Sequence, residues 1–170
     1  MIRLLGLDPG SRRVGWGVIE VDGSRLVHLA HDTIVAGEGR PLGERLVRIH
    51  DELQAVVERW RPGAVGLEQV FAGRNPRSAL VLGQARGVAM LCLGRAGLEV
   101  EEYARDEVKI AVTGNGRATK SQVSRMLERL LGVDLSSSGE DATDALAVAV
   151  CHAHGRQRRR LVERARSDRA

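Results

Sequence analysis

Four carboxylates occupy positions in the sequence where an acid needs a partner. Asp8 ends the apolar segment LLGLD, and Glu68 ends a second apolar segment, AVGLE. Asp141 and Asp144 are three residues apart at the start of a predicted helix, so they share one face and repel each other by about a few tenths of a kcal/mol. Hard divalent cations such as Mg²⁺ prefer carboxylate oxygen. The pattern therefore predicts a metal site that these four acids form together.

Each acid also has an ordinary structural explanation when it is considered alone. Asp141 could complement a helix N-terminus that Ser138 caps. Asp8 and Glu68 could be solvent-exposed acids at the ends of strands. Asp144 is harder to explain in this way, because the apolar segment ALAVAV follows it and an acid directed toward a core needs a partner. A metal site accounts for all four acids at once.

The hydrophobic pattern predicts the elements that must position these acids. The predicted strands cover residues 3–8, 14–20, 26–34, 64–68 and 100–103, and the predicted helices cover residues 41–60, 75–97, 119–131 and 138–154. Three consecutive strands come first, and strands that alternate with helices follow. This order predicts an α/β fold with a mixed sheet, an antiparallel meander followed by parallel strands, flanked by helices.

The segment DPGSRRVGWG joins the first two predicted strands. Its glycines, Gly10, Gly15 and Gly17, permit a tight connection and the close approach of a phosphate to the backbone. Actin-like ATPases and sugar kinases carry a similar hairpin, but they need two such domains, which 170 residues cannot supply. The length therefore argues against a kinase.

The composition predicts one domain, residues 1–154, and a basic C-terminal tail, residues 155–170, of a kind that is often disordered. The chain has a net charge of +4. The tail alone carries +5, from seven arginines against two acids, so the domain carries about −1. The domain is therefore not a generally basic DNA-binding surface, and we do not expect the chemistry in the tail. No apolar run approaches the roughly 18 residues of a membrane helix, so we expect a cytoplasmic protein that does not enter a membrane. Cys92 and Cys151 lack CxxC spacing and are predicted to be buried thiols.

Four longer segments carry a resemblance to a known family: LGLDPGSRRVGWGVI, LEQVFAGRNPRSALVLGQARGVA, VKIAVTGNGRATKSQV and EDATDALAVAVCHAH. In their order and spacing they resemble the RuvC family of bacterial Holliday junction resolvases. The resemblance implies a ribonuclease-H-like fold, a homodimer, and two divalent ions per active site, Mg²⁺ with Mn²⁺ as a substitute, held by Asp8, Glu68, Asp141 and Asp144. It also implies paired incisions in four-way junction DNA that leave ligatable nicks during recombination and repair, with the RuvA–RuvB branch-migration complex as a partner. Some members have a histidine at the third acidic position, whereas this sequence has an aspartate.

Two lysines and one aromatic residue are candidate DNA contacts. Lys109 and Lys120 are the only lysines among 26 basic residues, and both match family positions that contact phosphate near the cut. Ordinary surface lysines are the alternative. Phe71, the only phenylalanine, matches a residue that stacks on an unpaired base of the junction, and the alternative is a loop anchor folded onto the core. Four arginines could extend this DNA-binding surface: Arg74, Arg77, Arg117 and Arg125.

Gly83 and Gly87 lie one turn apart in the second predicted helix, where each costs about 1 kcal/mol relative to alanine. Packing of this helix on the sheet would explain them, and so would a helix crossing at a two-fold dimer interface, which the resemblance favours. His152 and His154 lie on different faces of the last predicted helix. We expect both histidines to be structural or solvent-facing.

Two other functions fit parts of the same pattern. Another nuclease of this fold would cut RNA in RNA–DNA hybrids with the same acids, and a comparison of hybrids with four-way junctions as substrates would distinguish it. A non-catalytic junction-binding protein would bind DNA without needing all four acids. The joint presence of the four acids disfavours this second alternative.

Overall fold

A five-stranded mixed sheet forms the centre of the computed structural model, which describes residues 1–69 and 75–167. The strands are β1 Ile2–Asp8, β2 Arg13–Asp22, β3 Arg25–Val35, β4 Ala64–Glu68 and β5 Val100–Tyr103. Their order in the sheet is β3-β2-β1-β4-β5. Strand β2 pairs antiparallel with β1 and β3, whereas β4 pairs parallel with β1 and β5. The predicted meander followed by parallel strands is confirmed.

Helices cover both faces of this sheet. They are α1 Leu42–Trp60, α2 Pro76–Arg95, α3 Arg105–Thr113, α4 Lys120–Leu131 and α5 Glu140–Ser167. Leu5 and Leu7 of β1 share a core with α1 and α2, whereas Leu4 shares the opposite core with α3, α4 and α5. The sheet therefore separates two helical layers, as expected when side chains alternate between its faces. Among the described residues, no helix combines the length and the apolar character that crossing a membrane requires.

Helix α5 lies directly on the sheet because glycines face it from three strands. These glycines are Gly6 in β1, Gly15 in β2 and Gly66 in β4. A Cβ added at Gly6 would overlap the carbonyl oxygen of Ala145, and one added at Gly66 would lie 2.9 Å from Cβ of His152. Both distances are too short for real Cβ atoms, so only glycine permits this packing. Helix α5 consequently crosses the sheet from β2, past β1 and β4, toward β5.

The contacts of Gly15 and Gly17 correct the expectation that a phosphate approaches the backbone there. A Cβ added at Gly15 would overlap the carbonyl oxygen of Asp141, and one added at Gly17 would lie 2.7 Å from a side-chain atom of α5. These two glycines therefore make room for a helix. Gly10 has the predicted role in the tight connection, because a Cβ there would overlap the carbonyl oxygen of Arg13.

Two helices differ from the sequence-based expectation. The hydrophobic pattern does not predict α3, which has only 9 residues, of which Val108 and Val112 are buried. The predicted end of the last helix at residue 154 is wrong, because α5 continues to Ser167. Gly155 does not end the helix, since it packs beside the Tyr103 hydroxyl and the arginines that follow are good helix formers. Most of the segment expected as a tail is therefore helical.

Helix termini elsewhere match the predicted capping signals. The side chain of Asn75 accepts hydrogen bonds from the first turn of α2, which begins with Pro76. At the start of α4, Thr119 Oγ1 accepts from the Gln122 backbone and Gln122 Oε1 accepts from the Thr119 backbone. Gly132, with φ of 63°, ends this helix. The predicted capping box and glycine stop are confirmed.

Candidate active site

Asp8 and Glu68 end neighbouring parallel strands. The register of β1 and β4 aligns Leu7 with Leu67, so the two acids form the next pair at the carboxyl edge of the sheet. Neighbouring strands lie about 4.8 Å apart. Each acid stands two residues after the glycine of its strand that contacts α5, so both acids point to the face on which α5 packs.

Asp141 and Asp144 reach the same edge from the first turns of α5. Gly15 contacts the backbone of Asp141, and in the β1–β2 register Gly15 pairs with Asp8. The glycine contact therefore fixes the start of the helix beside the end of β1. Asp144 follows one turn later on the same helix face.

A histidine pair on β3 holds the residues just before α5, and sequence reasoning missed it. His28 Nε2 lies 2.8 Å from His31 Nδ1, and His31 Nε2 lies 2.6 Å from Ser138 Oγ. Leu29 has no partner in the register with β2, so β3 contains a β-bulge at this residue. The bulge changes the direction of the side chains that follow it, which allows the two histidines to contact each other. Ser138, which the sequence suggested as a helix cap, is bound to β3 through this contact.

The four acids influence one another electrostatically. The pKa of Asp8 is raised from 3.8 to about 7, first by burial and then by the negative charges of the other three acids, and Arg105 opposes this rise. A carboxyl group with such a pKa is about half protonated near neutral pH unless a cation compensates its charge. The four sequence-predicted acids are therefore close enough for the other three to act on the charge of Asp8.

Two arginines that the sequence analysis did not single out pair with acids of this site. Arg105 Nε donates to Glu68 Oε1 at 2.9 Å, and Arg13 Nε donates to Asp141 Oδ2 at 2.8 Å. Arg105 begins α3, two residues after the end of β5 and next to the end of β4, and Arg13 opens β2 beside the end of β1. The signal that could have found them is strand order, which the hydrophobic pattern of one sequence does not supply.

The two predicted phosphate-contacting lysines also lie at this edge. Lys120 Nζ is 3.3 Å from Asp144 Oδ2 and 2.7 Å from Glu140 Oε2. A small cavity of about 60 Å³ is lined by Glu68, Arg105, Val108, Lys109, Lys120, Val123, Asp144 and Ala147. Both lysines thus lie beside two of the acids, Glu68 and Asp144.

The four carboxylates are suitable ligands for a hard divalent cation, although three of them form ion pairs with basic side chains in this structure. Within residues 1–69 and 75–167, no three His, Cys, Asp or Glu side chains converge closely enough to hold a common ion. Three acids are turned toward a base instead, and Asp8 has no ion-pair partner in this part of the chain. The partly buried Asp8 and the three carboxylates that act on its charge nevertheless supply the oxygen ligands and the excess negative charge that Mg²⁺ prefers.

Comparison with known proteins gives the family. The family model described as "Crossover junction endodeoxyribonuclease RuvC" matches residues 4–152. The chain belongs to the RuvC family. Its relatives include the crossover junction endodeoxyribonuclease RuvC of Xanthobacter autotrophicus, which is 54% identical over 155 residues that cover 91% of each chain.

Solved structures of two Holliday junction resolvases share this fold. The T. thermophilus RuvC in complex with Holliday junction substrate matches with a TM-score of 0.87 at 32% identity, over 92% of this chain and 96% of that chain. The yeast mitochondrial Holliday junction resolvase Ydc2 matches with a TM-score of 0.64 at 12% identity, over 87% and 76% of the chains, which is a likeness of fold alone. The expected ribonuclease-H-like fold is confirmed.

The remaining predicted DNA contacts are spread over other positions. Arg117 lies in the turn between α3 and α4, and Arg77 is exposed in the first turn of α2. A cavity of about 300 Å³ beside α4 is lined by Thr113, Asn115, Ala118, Gln122, Arg125, Met126 and Arg129. Phe71 and Arg74 lie outside the described residues, so their roles stay predictions.

Gly83 and Gly87 face away from the sheet. Among the described residues, no atom lies within 4 Å of a Cβ added at either position, so the explanation by sheet packing is wrong. Leu80 and Leu91 continue the same stripe of α2, and they are 65% and 57% exposed. Helix α2 therefore presents an exposed apolar stripe with two glycines at its centre, which we call the α2 stripe.

The histidines and cysteines of the last helices have structural environments. His152 is fully buried, with Nδ1 2.8 Å from the Tyr103 hydroxyl, and His154 Nδ1 lies 3.1 Å from a backbone carbonyl oxygen of α3. Cys92 and Cys151 are free and buried. The predictions of structural histidines and buried thiols are confirmed.

Proposed function

We propose that this RuvC-family chain is a structure-selective endonuclease that resolves Holliday junctions by divalent-metal-dependent hydrolysis of DNA phosphodiester bonds. The observation that carries the proposal is the gathering of four acids at the carboxyl edge of β1 and β4, where burial and negative charge raise the pKa of Asp8 to about 7. The similar T. thermophilus structure is described as a complex with Holliday junction substrate, which supports the choice of substrate.

The acids Asp8, Glu68, Asp141 and Asp144 would hold two Mg²⁺ ions, with Mn²⁺ as a substitute. When bound, the two ions supply activation of a water molecule and stabilisation of the negative charge on the departing 3′ oxygen. Asp8 would be the central ligand of this set, because the charges of the other three acids all act on it.

The bases that pair with the acids would have a second task in DNA binding. The side chains of Lys120 and Arg105 are 57% and 65% exposed, so each can turn from its acid to a phosphate oxygen without displacing other groups. Lys109 lines the same cavity. In the absence of substrate these bases neutralise the acids, which limits the repulsion among the carboxylates. With substrate, the same bases would position the phosphate at the site.

The homodimer expected from the family would form through the α2 stripe. Leu80 and Leu91 expose apolar area that a second copy would bury, and Gly83 and Gly87 between them would let two helices cross closely. A two-fold dimer presents two active sites to one junction. This arrangement would account for paired incisions that leave ligatable nicks.

Further parts of the proposal rest on the family resemblance. Phe71 would stack on an unpaired base at the junction centre, and Arg74 would contact phosphate beside it. A RuvA–RuvB branch-migration complex would be the partner during recombination and DNA repair. The RuvC family is bacterial and the proposed substrate is chromosomal DNA. We therefore propose that the protein acts in the cytoplasm.

Incision of a synthetic mobile four-way junction tests the proposal. The wild-type chain should cut the junction in Mg²⁺ but not in EDTA, and Asp8→Asn should not cut it. Asp22→Asn serves as the matched control, because Asp22 also ends a strand but is exposed at the opposite edge of the sheet. Gel-shift assays in Ca²⁺ should show that all three proteins bind the junction.

Two outcomes of this experiment would contradict the proposal. One is turnover by Asp8→Asn close to that of the wild type, which would remove the acids from the chemistry. The other is faster cutting of RNA in an RNA–DNA hybrid than of the junction, which would assign the same site to a different substrate.

A further inference from the structure

The C-terminal half of α5 extends beyond the part of the chain that defines the family. We call residues 155–167 the C-terminal arm. The family model ends at residue 152, whereas the helix continues without interruption to Ser167. The match to the family model therefore does not include the arm.

Ion pairs hold the base of the arm against β5. Arg156 Nη1 lies 3.4 Å from Glu99 Oε2, and Arg159 forms an ion pair with Glu101. The Tyr103 hydroxyl donates to Glu101 Oε2 at 2.7 Å, which ties the same acid to the buried part of the sheet. These contacts fix the direction in which the helix leaves the sheet.

The rest of the arm carries positive charge that no acid neutralises. The arm as a whole contains six arginines against Glu163, a net charge of +5. Four of the arginines have no ion-pair partner among residues 1–69 and 75–167: Arg158, Arg160, Arg164 and Arg166. All four are exposed. Guanidinium groups bind phosphate oxygens with two parallel hydrogen bonds, so the free surface of the arm suits a polyphosphate backbone.

The distance between the C-terminal arm and the acids matches a short length of duplex DNA in one arm of a junction. Arg160 and Arg164 follow Asp144 by 16 and 20 residues, which places them about 24–30 Å away along the helix axis. At 3.4 Å per base pair, this distance corresponds to about 7–9 base pairs of duplex. A duplex that leaves the active site toward β5 would therefore pass beside the arm.

We propose that the C-terminal arm is a second DNA-binding surface, which contacts the phosphate backbone of a junction arm about 7–9 base pairs from the cut. The inference rests on the proposed function, because it takes junction DNA as the substrate. A membrane surface is the less suitable partner, since the arginines surround the helix and leave no wide apolar face beyond Leu161 and Val162.

The salt dependence of junction binding tests the proposal. We would compare Arg160→Gln/Arg164→Gln with Arg25→Gln/Arg59→Gln, all in an Asp8→Asn background so that binding is measured without cutting. The control pair is also exposed: Arg25 begins β3, at the far edge of the sheet from β5, and Arg59 lies at the end of α1, on the face of the sheet opposite α5. Each variant removes two positive charges, so net charge alone affects both equally.

The expected result depends on the length of the junction arms. With arms of about 20 base pairs, the arm variant should lower the slope of log K against log salt by about 2 per protomer, at about 0.9 per lost phosphate contact. Junction arms of about 6 base pairs, closed by hairpins, end before they reach the C-terminal arm of the protein. On this short junction the slope for the arm variant should equal the slope for the control variant. Arg160→Lys/Arg164→Lys should recover most of the slope, and circular dichroism should show equal helix content in all variants.

Equal slopes for the arm variant and the control on long arms would overturn the proposal. The same loss on short and long arms would also overturn it, because the effect would then be general electrostatics. Binding of the wild type to vesicles of anionic phospholipid, lost in the arm variant while the slope on DNA is unchanged, would assign the arm to a membrane surface instead. A wild-type chain that fails to cut the junction would contradict the proposed function alone, since the binding slopes are measured separately.

Discussion

The N-terminal half of helix α5, residues 140–153, lies on the sheet, whereas the C-terminal half, residues 155–167, projects from it. Ten residues of the first half are buried, and glycines of three strands admit its backbone. In the second half, Arg156 and Arg159 are held by ion pairs, and the residues beyond them are exposed. Close packing against the sheet thus fixes the position of the first half of this continuous helix, whereas ion pairs hold the second half.

The difference separates two kinds of function that this helix can serve. Metal coordination requires carboxylates at fixed positions, and close backbone packing supplies such positions. Contact with a phosphate backbone tolerates movement, because it depends on charge at a distance of several ångströms. We therefore expect substitutions in the first half to act on chemistry and stability, and substitutions in the second half to act on salt-dependent binding.

The largest expected difference is between substitutions of one acid in each half of the helix. Asp144→Asn should lower the rate of junction incision by about 10³-fold or more, because it removes a charged metal ligand while keeping the shape of the side chain. Glu163→Gln, the matched change in the C-terminal arm, should leave the rate unchanged. Single-turnover incision in Mg²⁺ measures both rates. A comparable loss in the two variants would contradict the division of the helix.

The next largest difference is between the effects on stability of two glycine substitutions, one at Gly6, which packs against the first half, and one at Gly155, which begins the second half. Gly6→Ala should lower the free energy of unfolding by about 3 kcal/mol, because its Cβ would overlap the Ala145 carbonyl oxygen and move α5. Gly155→Ala should change stability by less than about 1 kcal/mol, since its Cβ would lie 3.2 Å from the Tyr103 hydroxyl and alanine favours the helix. Urea denaturation measures both. If Gly6→Ala were tolerated without loss of stability, the tight packing of the first half would be wrong.

The pH dependence of stability should reflect the acids of the first half. Because the pKa of Asp8 is raised to about 7, the folded chain without metal binds this proton more tightly than the unfolded chain. Stability is therefore lost as the pH rises from about 4 to about 7, and the loss is complete above that range. Asp8→Asn should stabilise the chain by about 2 kcal/mol at pH 8 in EDTA and by almost nothing near pH 4.

The same denaturation experiment includes an acid from the second half as its control. Glu163→Gln should leave stability nearly unchanged at both pH values, because Glu163 is exposed. A destabilising effect of Asp8→Asn at pH 8 in EDTA would show that the ionised carboxylate is stabilised in the folded chain, contrary to its raised pKa.

The smallest effect is expected from the ion pairs that hold the second half. Arg159→Gln should lower the free energy of unfolding by about 1 kcal/mol or less, because its pair with Glu101 is partly exposed to solvent. Arg160→Gln has no such pair to lose and should not change stability. Differential scanning calorimetry at low salt would detect the difference, and a loss above about 2 kcal/mol for Arg159→Gln would mean that the arm is more than an electrostatic attachment.

The sequence predicted the sheet, and the places of Asp8 and Glu68 at the ends of its strands, because both depend on local patterns. Strand β4 has the predicted bounds, since AVGLE is a short apolar run between Gly63 and a polar segment. Asp8 and Glu68 could be placed at one edge of the sheet because each ends an apolar strand. Local patterns of this kind are visible in a single sequence.

The features that the sequence did not predict depend on which elements become neighbours. Arg13 and Arg105 pair with acids that are 128 and 37 residues away, and only the strand order brings them together. Gly6 and Gly66 break their apolar runs, but nothing in the runs shows that a helix packs against them. Gly155 is a usual helix terminator, and its contact with the Tyr103 hydroxyl explains why α5 continues.

Anomalous diffraction from crystals soaked in Mn²⁺ tests the central claim most directly, because it locates the ions themselves. We expect two peaks per protomer, within about 2.1–2.3 Å of carboxylate oxygens from the set Asp8, Glu68, Asp141 and Asp144, with Arg105 and Lys120 turned away from their acids. Crystals of Asp8→Asn should lose at least one peak. Peaks elsewhere on the chain, or an unchanged pair of peaks in Asp8→Asn, would contradict the assignment of the four acids to one metal centre.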